Sequence, residues 1–118
     1  MNLTRHERVQ RQVLRETTSI LKEDLKDPRI GFVTVTGVQL SPDLATAKVF
    51  VSIMGSHSQQ EETFHVLKNA ERFVRAQIGH RIRLRHTPEV IFMRDDSIEH
   101  VDRIFQILDE IKAKESHD

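Results

Sequence analysis

The chain has no cysteine, no tryptophan and no tyrosine among its 118 residues. The first absence excludes disulfides, thiolate zinc sites and cysteine nucleophiles. Glycine is scarce, and Gly31, Gly37, Gly55 and Gly79 lie too far apart to build a phosphate-cradling loop. The longest uninterrupted apolar run, Val90 to Met93, falls far short of the ~20 residues of a membrane span. The opening Met1-Asn2-Leu3-Thr4-Arg5-His6 does not read as a signal peptide. These absences favour a cytoplasmic protein with no membrane partner. There is no HExxH, and the seven histidines are scattered without ligand spacing. Asp95, Asp96, Glu99 and Asp102 cluster at the start of a predicted helix, where capping and the helix dipole already account for acidic residues. No metal, no cofactor, no small-molecule substrate and no catalytic residue is therefore expected; the chain does not read as an enzyme.

A chain of this length is expected to form one domain, burying roughly two-thirds of its unfolded surface. Its 18 basic and 18 acidic side chains cancel, which at first argues against a nucleic-acid partner. The cancellation is uneven. Residues 65–88 carry 6 basic side chains (Lys68, Arg72, Arg75, Arg81, Arg83, Arg85) against one acidic, Glu71, a net of +5. Residues 89–118 carry 4 basic and 9 acidic, a net of −5. Such segregation gives the molecule a polar field, unless the two segments neutralise each other across an internal interface.

Periodicity predicts the elements. Thr4 and Glu7 have capping-box spacing, and Val9, Val13, Ile20, Leu21 and Leu25 share one broad arc of a helix running to about Leu25. Arg8, Arg11, Arg15, Lys22 and Lys26 share a narrow arc opposite, a single-sign stripe where a solvated face usually mixes signs. The helix must stop before Pro28. Phe32 to Leu40 and Thr46 to Met54 read as an antiparallel strand pair, with a bulge or close backbone approach at Gly37. Ser58 and Glu61 suggest the cap of a second helix, which continues through Phe64, Leu67, Val74 and Ile78, with a change of direction at Ala70. Arg81-Ile82-Arg83-Leu84-Arg85 alternates; extended, it would place three guanidinium groups on one side. Glu89 to Arg94, apolar on both faces at its centre, reads as an interior strand. Ile98, Val101, Ile104, Phe105, Leu108 and Ile111 form the stripe of a last helix. The fold class is α+β, a single domain over residues 1–112 with a polar tail at 113–118.

Without tyrosine or tryptophan, base-stacking readout is poorly supported, and Phe50 is the one candidate for an exposed strand aromatic. The arginines suit phosphate contact better, because the guanidinium fork matches phosphate oxygens. Structured RNA read through its backbone is the mode this composition allows. The candidate RNA-binding residues are Lys68, Arg72, Arg75, Arg81, Arg83 and Arg85, with Arg8, Arg11 and Arg15 of the first helix. A protein-interaction adaptor using the charge asymmetry fits the same composition.

Several spaced motifs now take on meaning together. Asp27-Pro28-Arg29-Ile30-Gly31, Thr34-Val35-Thr36-Gly37-Val38, Ser41, Asp43-Leu44 and Ala47-Lys48-Val49-Phe50-Val51 resemble the bacterial ribosome-binding factor A family. Arg83-Leu84-Arg85, Pro88-Glu89, Phe92, Asp95 and Ser97 continue the match in order, from Arg8 to about Leu108 overall. The resemblance implies a KH-like fold of type II topology that lacks the GxxG loop and carries a helix–kink–helix with an Ala-x-Gly pattern. Here that stretch is Ala70-Glu71-Arg72, so the kink maps to Ala70 and arginine replaces the family glycine; Val101 replaces another. It further implies an assembly factor that binds free 30S subunits and 16S rRNA; a cytoplasmic monomer is expected, since no exposed apolar stripe demands a dimer. Such a factor supports late processing of the 16S precursor near its 5′-terminal helix and is linked to growth in the cold.

Overall fold

The computed structural model describes residues 2–95. The predicted last helix with its stripe from Ile98 to Ile111, Val101 and the division at residue 112 lie outside the described residues. Within them the order is α1 (Arg5–Glu23), β1 (Val33–Leu40), β2 (Thr46–Ile53), α2 (His57–Asn69), α3 (Glu71–Arg81) and β3 (Glu89–Arg94). This is the α+β order read from the periodicity.

Helix α1 starts where expected, with Thr4 Oγ1 accepting the Glu7 N–H at 3.1 Å. It buries Val9, Val13, Thr17, Ile20 and Leu21, one continuous arc. It closes at Glu23, earlier than Pro28 alone demands. The N–H groups of Asp24 and Leu25 both turn back onto the Ile20 carbonyl, and Leu25 leaves the helix to pack against the core. A short 3-10 turn, Pro28–Phe32, then leads into β1, with Asp27 as its cap. Phe32, expected as the first strand residue, belongs to this turn.

The sheet order is β1-β2-β3, antiparallel between β1 and β2 and parallel between β2 and β3. The register shifts between Val35 and Gly37, so the bulge falls at Thr36 beside the glycine. Ala47, Val49, Val51 and Ile53 of β2, with Val90 and Phe92 of β3, point into the core. Helix α1 packs over β1, and α3 packs over β3 and against α1, so two helices close that face with Val13, Ile20, Val74 and Ile78 fully buried.

The position of β3 differs from the expectation of an interior strand: it lies at the sheet edge. Its second apolar set, Ile91 and Met93, is only partly covered. The edge itself is met by Glu71 of α3, whose Oε2 accepts the Phe92 N–H at 2.7 Å, which supplies a partner that a further strand would otherwise give. The opposite edge is treated alike at Leu40, whose N–H meets Gln10 Oε1 at 3.0 Å and whose carbonyl meets His6 Nε2 at 2.8 Å.

Helix α2 also starts differently. The cap is Ser56, in a reciprocal capping box with Gln59, rather than Ser58 with Glu61. Gly55, at φ 126°, makes the turn that places Ser56 there. Phe50 is half-buried, whereas Phe32 and Phe73 are the exposed phenylalanines among the described residues.

Candidate nucleic-acid interface

Helices α2 and α3 meet at Ala70, which is buried and has φ −91°, ψ −2°. The break turns α3 so that Val74 and Ile78 enter the core while Arg72, Arg75 and His80 stay outside. At Ile82 the backbone becomes extended (φ −118°, ψ 125°). Ile82 is buried and Leu84 half-buried, which turns Arg83 and Arg85 to solvent. Arg81 is still the last residue of α3, so only Arg83 and Arg85 of this alternating run lie beyond the helix.

The chain then folds back along α3. Arg75 donates from Nη2 and Nε to the Thr87 carbonyl at 3.1 and 3.4 Å. Gly79 permits the approach: a Cβ there would stand 2.8 Å from Thr87 Oγ1. Between helix and returning segment lies an open groove of about 760 Å³, lined by Arg72, Arg75, His80, Arg85 and His86 together with small residues and Thr87. No acidic side chain among the described residues lines it. A smaller hollow of about 320 Å³, also lined by Arg85 and His86, brings in Arg5 of α1 together with Asp43, Leu44 and Leu84. Arg5 thus adds a cation beyond the groove, in a hollow that Asp43 also lines.

The structure therefore sorts the predicted cations. Arg72, Arg75 and Arg85 come together in the groove; Arg83 is exposed on the adjoining turn. Arg81 is engaged elsewhere, donating to Glu16 and Ser19 of α1 at 3.2 Å each and pairing with Asp24. Lys68 pairs with Glu71 at 3.2 Å and lies 5.5 Å over the Phe64 ring. Arg8, Arg11 and Arg15 are exposed along α1 and make no ion pair among the described residues. Glu16 and Ser19, which hold Arg81, sit between the core arc and that stripe on the helical wheel, so α3 lies alongside the stripe rather than across the molecule from it. His80, His86 and Arg5 were not among the candidate RNA-binding residues read from the sequence. The signal available for the histidines was their place within the basic segment.

Among the described residues, no three His, Asp or Glu side chains gather as a metal would require, and no helix is long and apolar enough to cross a membrane.

Comparison with known proteins bears on what such a surface serves. The model of the family described as ribosome-binding factor A matches residues 5–108. The chain is 50% identical over 112 residues to ribosome-binding factor A of Clostridium tetani, covering 94% of this chain and 93% of that protein. The chain belongs to the ribosome-binding factor A family. Its relative from Desulforamulus reducens is 46% identical, covering 95% and 93% of the two chains. The crystal structure of ribosome-binding factor A from Thermus thermophilus superposes with a TM-score of 0.68 at 27% identity, over 77% of this chain and 97% of that one. A Thermus thermophilus ribosome binding factor A model fitted into a cryo-EM map of a 30S complex gives 0.64 at 28% identity, over 75% and 93%. Arg72 stands in the first turn of α3 and lines the groove, adding a cation where cations already converge.

Proposed function

We propose that this chain is a ribosome assembly factor that binds free 30S subunits through the backbone of 16S rRNA. It assists late maturation and processing of the 16S precursor near the 5′-terminal helix, in the cytoplasm, and is linked to growth in the cold. It acts as a monomer, by binding alone, with no catalytic step and no cofactor. The element order supports a KH-like domain of type II topology, in which the junction Lys68-Asn69-Ala70-Glu71 has no GxxG loop to clamp a single strand. The observation that carries the reading is the groove in which Arg72, Arg75 and Arg85 converge with His80 and His86, with no acidic side chain of the described residues lining it. Arg83 flanks it, and Arg8, Arg11 and Arg15 extend the phosphate-contacting surface along α1. Arg81 and Lys68, held in ion pairs, serve it by holding α3 in place.

Arg72 and Arg85 make no ion pair among the described residues, so Arg72→Glu with Arg85→Glu is expected to leave the fold intact. This variant should lose most co-sedimentation with free 30S subunits while its circular dichroism stays unchanged. Undiminished co-sedimentation would refute the groove. A partner captured equally well after ribonuclease treatment would favour the adaptor reading instead.

A further inference from the structure

The Asp27-Pro28-Arg29-Ile30-Gly31 run takes no part in the groove, yet it builds a second concavity. Arg29, Phe32, Met54, Gln59 and Glu62 line a mainly apolar hollow of about 250 Å³ between the 3-10 turn and α2. We propose that this hollow receives a single unstacked RNA base, stacked on Phe32 and flanked by the Arg29 guanidinium. The inference rests on the rRNA reading above and adds a base contact to a surface otherwise suited to phosphates.

Phe32 is 61% exposed and Met54 71% exposed, the two most exposed large apolar side chains of the described residues. Their exposure is built into the end of the sheet: the Met54 N–H donates to the Phe32 carbonyl at 3.0 Å. The 3-10 turn that carries Phe32 is itself fixed by the Asp27 cap and by Pro28 in its first turn. Arg29 is held from two sides. Asp27 takes Nε at 2.9 Å and Nη2 at 2.7 Å, and Glu62 Oε1 takes Nη1 at 2.6 Å. A guanidinium already locked in its plane gives up little freedom when a base stacks on it.

The rim offers hydrogen-bonding groups at the edge of such a base. Glu62 engages Arg29 through Oε1, leaving Oε2 as an acceptor. Gln59 accepts the Ser56 N–H through Oε1, leaving its amide nitrogen as a donor. An unstacked base has flat faces for the ring and guanidinium and polar edges for this rim. An apolar protein side chain would fill the hollow and leave the rim unmatched.

The test uses the intact protein with free 30S subunits. A benzophenone photocrosslinker placed at Met54 should attach to RNA, as a product removed by ribonuclease. Attachment to a ribosomal protein, or to nothing, would overturn the proposal. In parallel, Phe32→Ala should weaken 30S binding about tenfold without changing its salt dependence, because no phosphate contact is lost. Phe32→Tyr, which keeps the stacking surface, should retain affinity. Unchanged affinity of Phe32→Ala would reject the base pocket and leave the groove reading standing. A groove variant with undiminished affinity and salt dependence would reject the groove reading itself.

Discussion

Asp27 engages Arg29 three times with one carboxylate. Oδ1 accepts the backbone N–H of Arg29 at 3.0 Å and its Nε at 2.9 Å, and Oδ2 accepts Nη2 at 2.7 Å. The Arg29 guanidinium foremost, and then the Arg29 backbone N–H, hold the Asp27 carboxyl down at about 2. Its value in the unfolded chain is ~3.9. A depressed carboxyl contributes stability that is present above the unfolded value and lost as pH falls through the folded one. Wild type should therefore exceed Asp27→Asn in stability at neutral pH, with the gap closing between about pH 4 and pH 2, as measured by urea unfolding across that window. A gap independent of pH would contradict the assignment. The sequence shows Asp-Pro-Arg as a helix stop. It does not show that Glu62, 33 residues on from Arg29, completes the clamp, because only the return of α2 past the 3-10 turn brings it there.

Elements are held to one another by side chains that sequence reasoning assigned to RNA. Arg81 closes α3 onto α1 through Glu16, Ser19 and Asp24. The side chains of Arg81, Glu16 and Asp24 are 25%, 29% and 30% exposed, so the cluster is shielded in part from water. Arg81→Ala should lower stability by about 1 kcal/mol. A double-mutant cycle with Asp24→Ala in urea should return a coupling of about 0.5–1 kcal/mol. Additive losses would show the pair to be incidental.

Most elements were legible from periodicity, including the six residues of β3, because apolar spacing records which side of an element meets the core. What was not legible depended on neighbours. The two-faced apolar centre of β3 read as an interior strand, yet its edge is completed by the Glu71 carboxylate of another element. Ser58 with Glu61 was read as the start of the second helix, but the cap is Ser56, with Gln59 three positions on. The positive φ of Gly55 selects Ser56. The run from Arg81 to Arg85 could be read as extended or helical; Arg81 ends α3 and the backbone becomes extended at Ile82.

At the scale of the whole molecule, the formal charge of zero conceals a local surface. Arg72, Arg75, Arg85, His80 and His86 meet in one concavity because Gly79 and the Arg75–Thr87 bond let residues 82–88 fold back along α3. Sequence could identify the basic segment but not divide its cations between groove and scaffold, since that division follows from the path of the chain after Ile82. A balanced total weakens attraction to distant RNA while a concentrated patch binds at contact.

The most direct test of this account is the salt dependence of affinity for free 30S subunits. Each phosphate contact contributes roughly 0.7–0.9 to the slope of log affinity against log salt. The account predicts that replacing Arg72, Arg75 and Arg85 with alanine weakens binding and makes that slope shallower by about 2, whereas Arg81→Ala leaves the slope unchanged. A slope unaltered by loss of the three groove arginines would contradict it.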